Sequence, residues 1–309
     1  MRDNHYVFDL PMRLRFRRQE RRAGVLLRGP AGWGEFSPFP DYDSTTCARW
    51  LAAAREAADD GWPSPVRDRV PVNTTVPAVG PDDAHAMVRA SGCTTAKDKV
   101  AEPGQTLTDD IARVEAVRDA LGAGGKLRVD ANAAWTVYDA AVALKALDVF
   151  DLEYAEQPVA TLEEMAELRR LIDVRLAADE SVRTAEDPLR VVGLDAADVV
   201  VLKVQPLGGV RRCLEVAEAC GLPVVVSSAV ETSVGIAAGV ALAAALPELP
   251  FACGLGTVSL LDGDVTTDSL LPVGGELPVR TVVPDPALAT ADAETTSWWL
   301  ARMQAAADA

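Results

Sequence analysis

The pattern of hydrophobic and polar positions changes near residue 70. From there on, short runs rich in β-branched residues alternate with longer segments whose apolar residues recur at helical spacing. This alternation predicts parallel strands, because parallel neighbours need long crossover connections that are usually helices. The eight strand candidates are 70–76, 94–100, 126–132, 151–157, 175–181, 199–204, 223–229 and 251–256.

The segments between these candidates carry helix boundary signals. Thr161 to Glu164 has the spacing of a capping box, and the Gly-Leu-Pro sequence at 221–223 is typical of a helix end. Eight strand–helix repeats predict an α/β fold with a (β/α)8-type barrel, in which the active site lies at the carboxyl ends of the strands. The alternative is an open doubly wound sheet, but the sequence contains neither GxGxxG nor GxxxxGK[ST].

The two ends of the chain follow a different pattern. Residues 1–65 contain the alternating run RLRFRR, a second strand-like run AGVLLRG and an alanine-rich helical segment from about 45 to 60. The tail after Leu260 is rich in proline, glycine and aspartate before a final helix near 294–307. We therefore predict an α+β capping domain formed by 1–68 and 261–309, beside a barrel domain of 69–260.

The arginine-rich run near the N-terminus allows two interpretations. Its side chains form either a basic flap over an anionic substrate or the solvated face of a hairpin, with Leu14 and Phe16 turned inward. The second interpretation is favoured. The arginines concerned are Arg13, Arg15, Arg17, Arg18, Arg21 and Arg22.

Composition and charge narrow the range of partners. With 46 acidic against 30 basic residues, the formal net charge of −16 argues against binding to nucleic acid or to an anionic membrane. An anionic small-molecule substrate therefore needs local positive groups. The five cysteines include no CxxC pair and the N-terminus lacks the features of a secretory signal, so we expect neither a disulfide framework nor a zinc site, and a reducing cytoplasm. The sequence does not predict an oligomeric state.

Charged residues stand at equivalent positions near the carboxyl ends of consecutive strand candidates. Because side chains alternate along a strand, Lys97 and Lys99 share one face while Asp98 points away from it. Arg128 and Asn132 share a face with the acid between them. The six charged residues are Lys97, Lys99, Asp130, Glu156, Asp179 and Lys203.

Three carboxylates on adjacent strands suit Mg²⁺, which prefers oxygen ligands, whereas zinc more often recruits histidine or cysteine. The cation and a neighbouring ammonium group both disfavour protonation of a lysine, so a lysine at this place can act as a base near neutral pH. The chain has only two histidines, and neither lies at a predicted strand end. Lysine is thus the expected base, and histidine chemistry is not expected.

Five short motifs together resemble a known family. They are AKDK at 96–99, RVDAN at 128–132, EQP at 156–158, ADES at 178–181 and LKVQPLGG at 202–209. This set resembles the enolase superfamily, in the branch that has a KxK motif and a facing lysine. The resemblance covers the whole chain in layout, with specific motifs from about 96 to 256. It implies a lyase that dehydrates a succinylated cyclohexadiene carboxylate.

The resemblance also implies roles for individual residues. Asp130, Glu156 and Asp179 would bind Mg²⁺. Lys99 would remove the proton α to the substrate carboxylate and return it to the departing hydroxyl on the same face. Lys203 would stay charged on the opposite face and stabilise the intermediate. Lys97 would support the site by holding down the pKa of Lys99. Arg128 and Asn132 would also support it. The succinyl arm would be held by Ser227, Ser228 and the backbone of Gly254.

Two alternatives remain open at this point. A racemase acting on N-succinylamino acids would use the same scaffold, with Lys99 and Lys203 as two bases on opposite faces. From a different class, the chain would be a ligand-binding barrel without catalytic activity. The presence of all six charged groups disfavours the second alternative, but the sequence does not show that they converge.

Overall fold

The computed structural model describes residues 4–16, 19–183 and 189–309. The chain begins with an antiparallel sheet in the order β1-β2-β3, and a helix packs on it. These elements are β1 (His5–Phe16), β2 (Gln19–Arg28), β3 (Trp33–Phe36) and α1 (Ser44–Arg55), which continues as one π-helical turn over Glu56–Asp60.

A parallel sheet of seven strands forms the centre of the molecule, in the spatial order β11-β10-β9-β8-β7-β6-β5. A short strand, β4 (Arg69–Pro71), precedes it and lies outside it. The seven strands are β5 (Thr74–Val76), β6 (Thr95–Lys99), β7 (Lys126–Asp130), β8 (Leu152–Glu156), β9 (Leu176–Ala178), β10 (Val199–Leu202) and β11 (Val224–Val226). The predicted α/β class is confirmed.

The strands of this sheet are buried on both sides, as parallel strands covered by helices should be. Every residue of β10 and β11 is buried, and their valine-rich sequences reflect it. The helices are α2 (Pro81–Ser91), α3 (Leu107–Leu121), α4 (Val137–Leu147), α5 (Leu162–Arg169), α6 (Glu180–Arg183), α7 (Arg190–Gly193), α8 (Val204–Leu207), α9 (Val210–Cys220) and α10 (Ser233–Ala245).

Local signals account for several of these boundaries. Thr161 and Glu164 form the predicted capping box at the start of α5, each bonding the backbone amide of the other. Gly221 ends α9 in the left-handed conformation that glycine favours. The apolar run in α10 is a buried helix of 13 residues. Throughout the described part of the chain, each helix is too short or too polar to cross a lipid bilayer.

Two strand predictions need correction. The first candidate, 70–76, is split: β4 pairs antiparallel with β12 (Glu276–Pro278), and only β5 joins the parallel sheet. The last candidate, 251–256, is not a regular strand. Its Cys253 and Gly254 make single parallel bridges, to Val72 beside one edge strand and to Ser227 beside the other. Glycines at 254 and 256 weaken a regular ladder at this point.

Helices from both ends of the chain cover the N-terminal sheet. The final helix, α11 (Ala293–Ala307), lies where the sequence predicts it and contacts α1, β1 and β2. Trp50 of α1 and Trp299 of α11 belong to an apolar core of their own, separate from the large core around the parallel sheet. Ala229, from the turn after β11, also packs into this smaller core.

The arginine-rich run conforms to neither interpretation as a whole. Phe16 is buried as predicted, but Leu14 is 41% exposed, so its predicted inward orientation is wrong. Arg21 is exposed, as a solvated hairpin face requires. Arg22 is 2% exposed and therefore belongs neither to a solvated face nor to a flap. Two of the predictions for this run concern residues outside the described ranges, Arg17 and Arg18.

Candidate active site

The six charged residues predicted at the strand ends come together in pairs. Lys97 Nζ lies 2.8 Å from both carboxylate oxygens of Glu156 and 3.2 Å from Oδ2 of Asp130. Lys99 Nζ lies 2.5 Å from the same Asp130 oxygen. All six side chains are buried, with at most 8% of any residue exposed. The remaining pair, Lys203 Nζ and Oδ2 of Asp179, is separated by 2.5 Å.

The fold explains this convergence. Lys99 and Asp130 are register partners on neighbouring strands, and Asp130 is in turn paired with Glu156. Parallel strands end at the same edge of a sheet, so their last residues meet there. Asp98 points the other way, as alternation predicts, and accepts a hydrogen bond from Arg113 Nε at 2.9 Å.

Burial and neighbouring charges shift the pKa values of these acids in different directions. Burial opposes ionisation of Asp130, but the ammonium groups of Lys99 and Lys97 outweigh it and hold its pKa well below the ordinary range. Glu156 behaves differently, because burial and repulsion from Asp130 raise its pKa to about 7. Burial also works against a charged Lys97, yet Glu156 and Asp130 raise the pKa of Lys97 above its ordinary value. The site therefore holds a charge-balanced network.

Asn132 also contacts the catalytic lysine candidate. Its Oδ1 accepts a hydrogen bond from Lys99 Nζ at 2.7 Å, and its backbone amide donates to Asp130 Oδ1 at 3.0 Å. Its φ of 46° lies in the left-handed region, which asparagine tolerates better than most residues. The left-handed conformation of the turn after β7 thus places the Asn132 side chain next to Lys99, so that the Lys99 ammonium lies between Asp130 and Asn132.

Arg128 lies one layer deeper than the other predicted residues. Its Nε donates to Glu153 at 2.6 Å, and its guanidinium lies 4.7 Å from the ring centroid of Tyr154. A bulge between β7 and β8 turns Glu153 toward Arg128, which strict alternation did not predict. The predicted support from Arg128 is therefore indirect, through the layer of side chains beneath the lysines.

The three predicted substrate-binding residues line one small cavity together with Lys99 and Lys203. Ser228 Oγ donates to the carbonyl of Gly254 at 2.8 Å. A Cβ at position 254 would stand 2.5 Å from Ser227 Oγ, so glycine allows the two strand ends to approach closely. Phe16 borders the same cavity, with its ring centroid 5.2 Å from Lys99 Nζ.

Two known families match this chain. The family described as "Enolase C-terminal domain-like" matches residues 81–285, more than half of the chain, and "Enolase N-terminal domain-like" matches residues 7–58. The chain belongs to the enolase superfamily. The membership inferred from the five sequence motifs is confirmed.

Three known proteins illustrate the similarity. The o-succinylbenzoate synthase of Thermobifida fusca is 63% identical over 301 residues, which cover 97% of this chain and 95% of that protein. The enzyme of the same name from Mycolicibacterium smegmatis is 52% identical, with 96% and 93% covered. The solved L-Ala-D/L-Glu epimerase of Bacillus subtilis has a TM-score of 0.77 at 23% identity, with 89% and 94% covered, and shows the common fold.

The donor set fits the divalent magnesium ion on which enolase superfamily enzymes generally depend. Asp130, Glu156 and Asp179 are hard oxygen donors, and the fully buried Asp179 Oδ1 makes no hydrogen bond within the described residues, although Arg183 Nε lies 3.3 Å from it. In the part of the chain that the structure describes, no group of three acidic, histidine or cysteine side chains is already arranged to hold a metal ion. Each of the three carboxylates instead contacts a lysine.

Two further charged residues join the site, and the sequence arguments did not select them. Glu180 accepts from Asn132 Nδ2 at 3.1 Å and from Arg183 at 2.5 Å. Alternation along a continued strand would turn Glu180 away from Asp179, but β9 ends at Ala178 and a helix begins at Glu180 itself, so alternation does not apply there. Burial opposes ionisation of Asp179, but Arg183 and Lys203 outweigh it and lower the pKa of Asp179.

Proposed function

We propose that this chain is an o-succinylbenzoate synthase of menaquinone biosynthesis. The reaction is the dehydration of 2-succinyl-6-hydroxy-2,4-cyclohexadiene-1-carboxylate to 2-succinylbenzoate. One observation carries the proposal. This chain is 63% identical to a synthase over nearly its full length and has a buried lysine, Lys99, between an aspartate and an asparagine at the end of a parallel strand.

Three carboxylates are the proposed Mg²⁺ ligands: Asp130, Glu156 and Asp179. A bound Mg²⁺ supplies stabilisation of the negative charge that develops on the substrate carboxylate. With Mg²⁺ bound, the ammonium groups of Lys97 and Lys203 would balance the charge of the buried site.

Lys99 is the proposed base. Its Nζ removes the proton α to the carboxylate, and the protonated amine then donates a proton to the leaving hydroxyl on the same face of the ring. One lysine thus serves both halves of a syn elimination. Loss of water leaves an aromatic ring, which makes the reaction strongly favourable. Lys203 stays charged on the other face and stabilises the intermediate electrostatically.

The substrate-holding wall is proposed to consist of Ser227, Ser228 and the backbone of Gly254. These residues border the same cavity as Lys99. They lie next to β11, an edge strand of the parallel sheet, whereas Lys99 lies on β6, near the other edge. Their hydroxyl and backbone groups suit the oxygen atoms of a succinyl arm. Arg128 and Asn132 support the lysines from below and from the side, respectively.

The architecture proposed for this function is a (β/α)8-type barrel, in which the bridged segment around Cys253 and Gly254 takes the place of the eighth strand. Residues 69–260 would form the barrel domain. Residues 1–68 and 261–309 would form the cap that closes over the substrate. We further propose that the enzyme works in a reducing cytoplasm, which suits its five buried cysteine thiols.

A second activity is favoured by the placement of the lysines. Lys99 is the last residue of β6 and Lys203 directly follows β10, so the two ammonium groups come from strands on either side of β8 in the sheet. Two bases on opposite faces are what racemisation of an N-succinylamino acid requires. The dehydration needs only one of them, so the two activities depend on Lys203 differently.

The decisive experiment is an assay of the dehydration after treatment with a chelator, with and without added Mg²⁺. We expect turnover that is lost on chelation and restored by Mg²⁺. Glu156→Gln should lose activity, whereas Glu163→Gln, on the exposed face of α5, should keep it. If the wild-type protein neither turns over this substrate nor exchanges the α-proton of an N-succinylamino acid in deuterated solvent, a non-catalytic binding barrel is the better description.

A further inference from the structure

The turn after β11 connects the wall of the site to the N-terminal sheet. Val230 in this turn borders the cavity that also holds Lys99 and Lys203. Its φ is 63°, in the left-handed region that β-branched residues rarely adopt. Ala229 beside it is buried in the apolar core of the N-terminal sheet. A strained backbone at the edge of a site requires contacts that hold it in place.

One such contact comes from the N-terminal sheet, from a residue about 200 positions away in the sequence. Arg22 of β2 is 2% exposed, and its Nε donates to the carbonyl of Val230 at 3.0 Å. The same guanidinium donates to the carbonyl of Ser37 at 2.7 Å and lies 4.7 Å from the ring centroid of Phe39. A planar guanidinium fixed on three sides orients the Val230 carbonyl in a way that a lysine ammonium does not.

The residues around Arg22 strengthen this connection. Glu35 of β3 accepts from the Thr232 hydroxyl at 2.5 Å and from the Gly235 amide at 3.0 Å, at the start of α10. The amide of Ser37 donates to Gln205, two residues after Lys203, at 3.2 Å. The N-terminal sheet and the residue that follows it therefore contact the segments after both β10 and β11.

We propose that Arg22 is a positioning residue that keeps Val230 in its left-handed conformation and thereby shapes the substrate-holding wall. The inference rests on the proposed function, because the wall is the one assigned to the succinyl arm. Relaxation of Val230 toward an extended conformation would rotate its carbonyl and displace the adjoining Ser228 and Ala229. That wall binds the non-reacting part of the substrate, so its displacement weakens binding more than it slows the chemical step.

The first test is Arg22→Met, which keeps the length of the side chain and removes its hydrogen-bond donors. We expect KM to rise roughly tenfold, which is within the strain energy that one such residue can hold, while kcat changes by about twofold or less. The matched control is Arg21→Met. Arg21 lies on the same strand but is exposed and bonds Asp9, so we expect wild-type kinetics. An Arg22→Met enzyme with the wild-type KM overturns the inference.

The second test repeats the change in a Val230→Gly background. Glycine adopts a φ near +60° at little cost, so Arg22 has nothing left to hold there. We expect Arg22→Met to change the KM of the Val230→Gly enzyme by about twofold or less. An equal rise of KM in both backgrounds means that Arg22 acts through another contact, and the inference is wrong.

Two controls separate the possible failures. If Arg22→Met does not fold, Arg22→Lys is compared in the same two backgrounds, because a single ammonium cannot reproduce both carbonyl contacts. If the wild-type enzyme has no dehydration activity, the proposed function fails before the inference is tested. If the wild-type enzyme is active and the two backgrounds do not differ, only the inference fails.

Discussion

Lys97 on β6 donates to both carboxylate oxygens of Glu156 on β8, at 2.8 Å each, across the intervening strand β7. The same ammonium lies 3.2 Å from Asp130, the last residue of β7. One cation thus contacts two buried acids that are proposed to bind Mg²⁺. The lysine and the ion serve the same electrostatic purpose at this place, and their effects on stability should therefore overlap.

This overlap predicts the behaviour of Lys97→Met. Without Mg²⁺ the buried Glu156 loses the ammonium group that contacts it, while Asp130 keeps its contact with Lys99, and we expect the free energy of unfolding to fall by about 3 kcal/mol. With saturating Mg²⁺ the loss should be much smaller, because the ion replaces the missing charge. Urea unfolding of both proteins, with chelator and with Mg²⁺, measures the difference. Lys126→Met, an exposed lysine at the opposite end of β7, is the control. An equal loss under both conditions contradicts the prediction.

Lys99→Ala should abolish dehydration while the protein stays folded. Removal of a general base typically lowers the rate by a factor of about 100 to 10,000, and here the same group also supplies the acid. The measurement is kcat, with far-ultraviolet circular dichroism as the check on folding. Lys126→Ala provides a matched lysine in the same sheet, far from the site. Turnover of Lys99→Ala within about tenfold of the wild type would rule out Lys99 as the base.

The sequence alone predicted the parts of the site that depend on local pattern. Strand alternation placed Lys97 and Lys99 on one face and Asp98 on the other, and a common sheet edge brought Asp130 and Glu156 to them. These predictions succeeded because a regular parallel strand leaves each side chain only two directions. The α/β class followed from the same periodicity.

Other parts depend on irregular backbone or on distant residues. The bulge that turns Glu153 toward Arg128 has no signature in the local pattern. The helix that begins at Glu180 ends the strand alternation, so the strand pattern does not predict where the Glu180 side chain lies. The contact between Arg22 and Val230 joins residues 208 positions apart, and such a pair is set by how the N-terminal sheet packs on the parallel sheet.

Lys203→Arg distinguishes the two proposed activities. Arginine keeps the positive charge but does not release a proton at any ordinary pH. If Lys203 only stabilises charge in the dehydration, we expect that reaction to keep a larger share of its kcat than racemisation does. Both rates are measured on one protein preparation, with the synthase substrate and with an N-succinylamino acid. Comparable losses in the two reactions would undo the proposed division of roles.

Glu35→Gln tests the buried carboxylate that connects the N-terminal sheet to α10. Burial, and then repulsion from Glu231, raise the pKa of Glu35 from 4.5 to about 7, although Ser37, Thr232 and Arg22 oppose the shift. Between these two pH values the folded protein binds more protons at this residue than the unfolded chain does. The contribution of Glu35 to stability is therefore fully present below about pH 4.5 and is lost as the pH rises through about 7.

Glutamine at position 35 has the same shape and does not titrate, so the variant should lack this loss. Relative to the wild type, its free energy of unfolding should increase by up to about 3 kcal/mol between pH 4.5 and pH 8. Relief of Glu231 acts in the same direction, since its pKa is also raised by burial. Urea unfolding across this pH range measures the effect, with the exposed Glu163→Gln as the control. Parallel stability curves for Glu35→Gln and the wild type would show that folding does not raise the pKa of Glu35.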